Sequence, residues 1–374
     1  MHVLLVRNFL PDAQMSMQRY AEWIEKAIRE RGHQVSVAMP HPLLSRLSKN
    51  RAASKYLGYI DKFLLFPPKL KKLMRSADIV HVLDHSNSMY LKALCGKPNL
   101  ITCHDMLAVQ YAMNKSSYHT LGWSGRLFQR WILSGMRGAR NVLCISEQTR
   151  RNLLRLTGDT GARVRVIYDP LNWNYRPGAK LSGELLARLG LQPGEPYLLH
   201  VGGNQVYKNR PGVLRIFARL IERPEFAGMR AVLVGKPWTG KLRAVAVEEK
   251  LEGRAIEALD IGTEDLHALY CNAAFLLFPS IEEGFGWPIV EAQACGCPVV
   301  TSNRPPMTEA AGEAAIFVDP TNPESAAAVI ADGVSRREWL REAGLRNVQR
   351  FDSNRIADCY LALYEEILRD SDGH

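Results

Sequence analysis

Short runs of β-branched and aliphatic residues alternate along this chain with longer stretches whose apolar positions recur every three to four residues. The first series of strand-like runs is Val3–Val6, Gln34–Ala38, Ile79–Leu83, Leu100–Cys103, Val142–Ile145 and Val164–Ile167. Helical patterns lie between several of them, for example Met17–Arg31, ended by Gly32, and Glu147–Leu156, ended by Gly158. Residues 171–195 lose the pattern and carry Pro177, Gly178, Pro193 and Gly194. A second series follows at Tyr197–Val201, Ala231–Val234, Ala258–Ile261, Phe275–Phe278, Val299–Thr301 and Ile316–Val318. Short buried strands alternating with helices predict parallel sheets covered on both faces. The expectation is an α/β protein of two doubly wound, Rossmann-like domains facing a cleft, over 1–175 and 176–353. The last periodic stretch, Asn354–Arg369, is long enough for 354–374 to pack back on the first domain.

At 374 residues the chain exceeds one ordinary core, in keeping with two domains. Its 47% hydrophobic and 23% charged content argues against disorder. No apolar run reaches the roughly 18 residues of a membrane helix, and the N-terminus lacks the pattern of a signal peptide. Seven cysteines without a CxxC pair point to a reduced, cytoplasmic protein. Cys295-Gly296-Cys297 is the only close pair, and no neighbouring histidine completes a zinc set, so no metal is expected.

Charge is distributed unevenly. Residues 1–170 hold 26 Lys and Arg against 11 Asp and Glu, a net of +15, whereas the remainder has a net of −5. Two domains with different partners are implied. The densest basic segment, Arg46 to Arg75, interleaves nine cations with Leu57, Tyr59, Ile60, Phe63, Leu64, Leu65 and Phe66 around a lone Asp61. That mixture suits an anionic membrane surface or a phosphate-bearing lipid, and reads equally as a solvated helix and loop.

Open α/β sheets bind ligands beyond the carboxyl ends of their strands, so polar residues after a strand deserve inspection. The strongest constellation is Phe278-Pro279-Ser280-Ile281-Glu282-Glu283-Gly284-Phe285-Gly286-Trp287-Pro288-Ile289-Val290-Glu291, continuing to Cys295-Gly296-Cys297-Pro298-Val299-Val300. A strand ends, a glycine-bearing turn follows, and Pro288 suits the first turn of a helix. Gly284 and Gly286 admit backbone amides close to a ligand, and the helix start presents positive charge, which together suit a diphosphate. Glu283 and Glu291 are acceptors for sugar or ribose hydroxyls. A lone glutamate here reads more simply as helix decoration; the whole string does not.

The string resembles the signature of the retaining glycosyltransferases of family 4, which have the two-domain GT-B fold: two glutamates separated by seven residues inside EGFG…P…EA.ACG.PVV. Glu309-Ala310-Ala311-Gly312-Glu313 and Val318-Asp319-Pro320 continue in that manner, and the similarity spans roughly 197–335. It implies that Glu283 contacts the transferred sugar and Glu291 the ribose. Gly284, Phe285 and Gly286 would offer amides to the sugar and diphosphate. In His200-Val201-Gly202-Gly203-Asn204-Gln205-Val206-Tyr207-Lys208-Asn209, the resemblance places Lys208 on the donor diphosphate. A lysine is apt there, since it neutralises charge building on the leaving phosphate. An arginine frequent in the family falls on Gly203 or Asn204 of this donor loop, and Arg210 is the available substitute.

Thr102-Cys103-His104-Asp105 resembles a motif of mannosyltransferase-like members, which puts His104 on the donor sugar and Asp105 beside it or the acceptor. On the residues alone, the pair reads equally as a helix-capping Asp105 next to a satisfied His104. Asp84 is a weaker candidate after its strand, and Ser146-Glu147 reads equally as an N-cap. The family's glycine-rich first loop is here Pro11-Asp12-Ala13-Gln14-Met15-Ser16, without glycine.

The resemblance implies a retaining, metal-independent glycosyltransferase without a cofactor. It would move a hexose from a nucleotide diphosphate sugar, the GDP-mannose type before UDP sugars, to a glycan or lipid-linked acceptor. The only Asp-x-Asp triplet, Asp370-Ser371-Asp372, lies in the terminal tail and is discounted as a metal site. The alternatives are a sugar-nucleotide epimerase of like shape, a non-catalytic relative, or a nucleic-acid-binding protein. The last is prompted by the charge but lacks a recognised module, so no nucleic acid partner is expected.

Overall fold

A computed structural model describes the chain except for Ala13, Cys95, residues 115–120, Asn172, Gly373 and His374; Arg51, Ala52, Asn114 and Asp372 are described in their backbone alone. Ala13 of the first loop and the Arg51 side chain of the basic segment therefore lie outside the described residues. The chain divides into two compact units, Met1–Asn172 with Ser353–His374, and Trp173–Asp352.

The first unit is built on a six-stranded parallel sheet of β1 (His2–Val6), β2 (Gln34–Ala38), β3 (Ile79–Val82), β4 (Asn99–Cys103), β5 (Asn141–Cys144) and β6 (Arg163–Val166). Their spatial order is β2-β1-β3-β4-β5-β6. Alternation along each strand separates two faces. Leu4, Val6, Val80, Val82, Ile101 and Cys103 pack against Leu70, Val109, Ile132 and Met136 on one side. The other side turns His81 and Thr102 towards Tyr20 of the Met15–Glu30 helix and Tyr364 of the Ser353–Asp372 helix. There His81 Nε2 meets Thr102 Oγ1 at 2.7 Å, His81 Nδ1 meets the Tyr364 hydroxyl at 2.7 Å, and Tyr20 joins Thr102 and Tyr360. Burial drives His81 down to about 3, so it stays neutral inside this network.

The second unit repeats the plan with β7 (Tyr197–Val201), β8 (Arg230–Val234), β9 (Ala255–Ala258), β10 (Phe275–Phe278), β11 (Val299–Ser302) and β12 (Ile316–Val318). All are parallel, in the order β12-β11-β10-β7-β8-β9. Leu198, Leu233, Leu277 and Val300 meet Val213, Phe217, Leu242 and Ile330 in its core. Two doubly wound parallel sheets are thus present, each with flanking helices. One strand is displaced from the sequence expectation: β9 covers Ala255–Ala258 rather than Ala258–Ile261. Asp260 takes a positive φ of 50°, which ends extension, and the true edge strand is weakly apolar because Glu257 binds the Trp238 amide and Arg243.

The basic segment folds as Arg51–Ile60, a π-helical turn Asp61–Leu65, and Phe66–Leu73. Asp61 is buried, and its carboxylate accepts the Leu44 and Ser45 amides. Burial opposes ionisation, but these amides prevail and hold it below the usual carboxylate range. Lys62 is also buried, paired with Asp12 at 3.0 Å and lying against Phe9, Tyr59 and Phe63. One cation of the segment is therefore consumed internally. Among the described residues, no helix is long and apolar enough to cross a membrane.

Candidate active site

In the second unit, strand order reverses between β7 and β10, so the loops after these two strands diverge at one point. The loop after β7 is anchored first. The Gly202 amide bonds Val234 at 3.0 Å, and Gly235, at φ 149°, packs so closely that a Cβ there would lie 2.1 Å from the Gly202 carbonyl. A 3₁₀ turn, Val206–Lys208, leads to Asn209 in the left-handed region at φ 53°. Its side-chain amide donates to the Pro279 and Pro320 carbonyls at 3.0 and 2.8 Å. The Ile281 amide donates to the Tyr207 carbonyl at 2.7 Å. These bonds join the β7 loop to the β10 loop and aim their charged side chains at each other.

Lys208 Nζ donates to both carboxylate oxygens of Glu283, at 2.7 and 2.8 Å. The Glu283 side chain is only 8% exposed and Lys208 18%, so the pair is largely withdrawn from water. Lys208 also lies 5.3 Å from the Phe278 ring centroid. Desolvating two ions has a cost that their mutual attraction repays in good geometry, and the bidentate contact supplies it. Two residues that the sequence nominated separately thus form one device.

The glycine turn then feeds the helix Trp287–Ala294. Gly286 is its N-cap at φ 115°, a conformation that a side chain rarely adopts, and Pro288 sits in its first turn. Phe285 packs edge-on against Phe351 and fixes the turn from behind. Glu291 lies in this helix, buried, with Oε2 accepting the Tyr270 hydroxyl at 2.9 Å. Burial and the Glu291 charge push Tyr270 well above its ordinary value, so it remains a proton donor. Tyr270 was not legible as a site residue: it sits on the Thr263–Asn272 helix and reads as core in the sequence.

Of the donor-loop residues, Gly203 is half-buried and Asn204 exposed, with Asn204 Nδ2 donating to the Pro237 carbonyl at 2.7 Å. Arg210 is 2% exposed and donates from Nη1 to Asn204 Oδ1 at 2.6 Å and to the Lys236 carbonyl at 2.8 Å. Its guanidinium therefore braces the position where the family's arginine falls.

In the first unit, order reverses between β1 and β3. Asn8, just after β1, donates to Asp84, just after β3, and receives Asn87 Nδ2 at 2.9 Å. Burial would raise Asp84; His85, His104, Asn8 and the Ser86 amide outweigh it and hold the group below the usual range. His104 follows β4 and is 4% exposed. It donates from Nε2 to the Leu83 carbonyl at 2.9 Å, turns Nδ1 towards Asp169 at 4.0 Å, and meets the Tyr20 ring edge-on. Asp105 accepts the Leu107 amide at 2.9 Å and so begins the Leu107–Asn114 helix, the local role that competed with a substrate contact. Ser146 likewise caps Glu147–Thr157 through the Thr149 amide. Asp169 was overlooked, although its signal was present: it is the first carboxylate after β6, in Tyr168-Asp169-Pro170. Burial raises it to about 6 against the pull of His104.

Two parallel six-stranded domains with a charged, glycine-bearing switch point define the GT-B architecture. The structure of sucrose-phosphate synthase from Thermosynechococcus elongatus superposes with a TM-score of 0.77 over 99% of this chain and all of that one, at 20% identity, a likeness of fold. The family model "Glycosyltransferase Family 4" matches residues 17–172, and "Glycosyl transferases group 1" matches 183–346. The chain belongs to the glycosyltransferases that these two models together describe. Among curated relatives, O-antigen chain mannosyltransferase B of Escherichia coli is 26% identical over 60% of this chain and 59% of its own length. The O-antigen chain mannosyltransferase RfbU of Salmonella typhimurium is 22% identical over 93% of this chain and 90% of its own. The chain thus spans about three fifths of the first relative and nearly all of the second.

Proposed function

We propose that this protein is a retaining glycosyltransferase that moves a hexose, of the GDP-mannose type before UDP sugars, from a nucleotide diphosphate sugar to a glycan or lipid-linked acceptor. The observation that carries the reading is the Lys208–Glu283 pair at the β7/β10 switch point, with Glu291 held by Tyr270 in the helix that follows. The two mannosyltransferase relatives support mannose as the transferred hexose.

In this reading the second unit holds the donor. The amides of Gly284, Phe285 and Gly286 and the start of the Trp287–Ala294 helix receive the diphosphate, and Glu291 accepts the ribose hydroxyls. Lys208 faces Glu283 until a diphosphate offers it a stronger anion. It then stabilises charge growing on the departing phosphate, and Glu283 is released to the sugar hydroxyls. These groups supply the positive potential that a metal would otherwise provide. His104, steered by Asp169, is assigned to the donor sugar, and Asp105 stands beside it.

The first unit receives the acceptor. Its basic segment supports docking at an anionic membrane surface. Exposed Tyr56 and Leu64 accompany Lys55, Lys69, Lys71 and Lys72; Tyr59 stacks on Phe128 of the Trp123–Arg137 helix and Phe63 meets the same ring at a tilt, and that helix bears exposed Trp123 and Leu127. A thermal-shift panel of nucleotides and nucleotide sugars tests the donor assignment. The reading expects a selective rise in Tm with one nucleotide diphosphate sugar, followed by transfer when an acceptor is added. A panel in which no nucleotide moves Tm overturns it.

A further inference from the structure

The second unit gathers three metal-ligating side chains from two helices. His267 and Cys271 sit four residues apart on the Thr263–Asn272 helix, hence on one face. Cys295 closes the Trp287–Ala294 helix. One ligand atom from each, the two Sγ atoms and a ring nitrogen, lies within 4.8 Å of the others. Cys295 is 3% exposed and His267 9%, and the His267 ring is wedged edge-on between Trp173 and Tyr175 at 5.1 and 5.7 Å. The Arg176 carbonyl receives Cys271 Sγ at 3.3 Å and lies 2.6 Å from His267 Nε2, which also faces the Arg176 amide at 3.2 Å, so a further oxygen stands at the cluster. The sequence around Cys295 contains no histidine; helix packing supplies one from 28 positions upstream.

We propose that His267, Cys271 and Cys295 form a zinc(II) site that clamps these two helices together. Two thiolates with an imidazole select zinc over hard cations, which require oxygen ligands. Tetrahedral zinc sets such ligand atoms about 3.5–3.8 Å apart, so the present cluster closes by at most about 1 Å to receive it. Each thiol loses its proton to solvent as its Zn–S bond forms, and no oxidant takes part. A fourth position remains for water or the Arg176 carbonyl. The clamp adjoins the proposed ribose contact: Cys295 donates its amide to the Glu291 carbonyl at 3.1 Å, and Tyr270, next to Cys271, holds the Glu291 carboxylate. The metal site itself stands independently of the glycosyl donor reading.

Titration of the chelator-stripped full chain with zinc(II) alone, against a competing indicator, tests this. The expected result is one zinc per chain with a rise in Tm, and thiolate-to-metal charge-transfer absorption when cobalt(II) replaces zinc. Cys271→Ser and His267→Gln are each expected to weaken binding at least about 10-fold. Cys359→Ser, at an exposed cysteine of the first unit, leaves it unchanged. Circular dichroism of each variant verifies folding, and Cys271, only half-buried, tolerates serine. No zinc retained by the wild type, equal affinity in Cys271→Ser, a cobalt spectrum without thiolate bands, or a Cys271–Cys295 disulfide in place of metal binding overturns the proposal.

Discussion

The two switch points share a topology and differ in chemistry. Between β7 and β10, a glycine-bearing turn opens the Trp287–Ala294 helix, and a lysine reaches across to a glutamate. Between β1 and β3, the first loop has no glycine, the Met15–Glu30 helix starts at Gln14 without a side-chain cap, and the polar groups are Asn8 and Asp84, with His104 after β4 and Asp169 after β6. At the β7/β10 point a buried cation–carboxylate pair stands beside a helix start. The other buries the Asp84 and Asp169 carboxylates with the His104 ring. Topology places a crevice; the loop residues decide what it does.

The largest effect should come from removing the cation that distinguishes the two points. Lys208→Ala is expected to depress turnover on the order of 10²-fold or more, with a smaller change in KM, if its charge acts chiefly in the transition state. Steady-state kinetics with the donor found by the thermal panel checks this, and unchanged kcat would remove the proposed division of labour.

A pH experiment interrogates the first unit. The Asp169 carboxyl is raised from 3.8 to about 6, chiefly by burial, so the fold binds its proton more tightly than the unfolded chain does. Its ionisation therefore subtracts stability as pH rises from about 4 through 6. Asp169→Asn removes the titration. Denaturant unfolding should show the variant gaining on the wild type between pH 4.5 and 7.5, by on the order of 2 kcal/mol. A constant difference across that range would mean that Asp169 is not buried as described.

Glu291→Gln should weaken nucleotide binding about tenfold, near 1.4 kcal/mol, with kcat less affected, because ribose contacts serve ground and transition states alike. Calorimetric titration with the nucleoside diphosphate measures it. The smallest effect concerns the surface. Trp123→Ser with Leu64→Ser should lower co-sedimentation with anionic vesicles several-fold while leaving binding to neutral vesicles as weak as before. Equal retention by the double variant would confine the basic segment to a solvated face.

Much of the fold is legible in the chain because buried parallel strands are continuous apolar runs. Val3-Leu4-Leu5-Val6 and Phe275-Leu276-Leu277-Phe278 are strands in the structure. β9 was misplaced for the same reason, since an edge strand containing Glu257 has little apolar signal. The motif around Glu283 and Glu291 was legible because a turn followed by a helix start is local. The Lys208–Glu283 contact spans 75 positions, and its existence follows from β7 and β10 being neighbours.

What the sequence determined by itself is everything set by neighbours along the chain: strand and helix periodicity, the Gly286 turn, and the group types available after each strand. Tertiary structure alone decided which of those groups meet. It paired Lys208 with Glu283, seated Asp169 beside His104, withdrew Lys62 into the interior, and brought His267 to Cys295. The physical reason is range: dihedral preferences and hydrophobic periodicity act over a few residues, whereas burial and electrostatic coupling act through space once the strands are ordered.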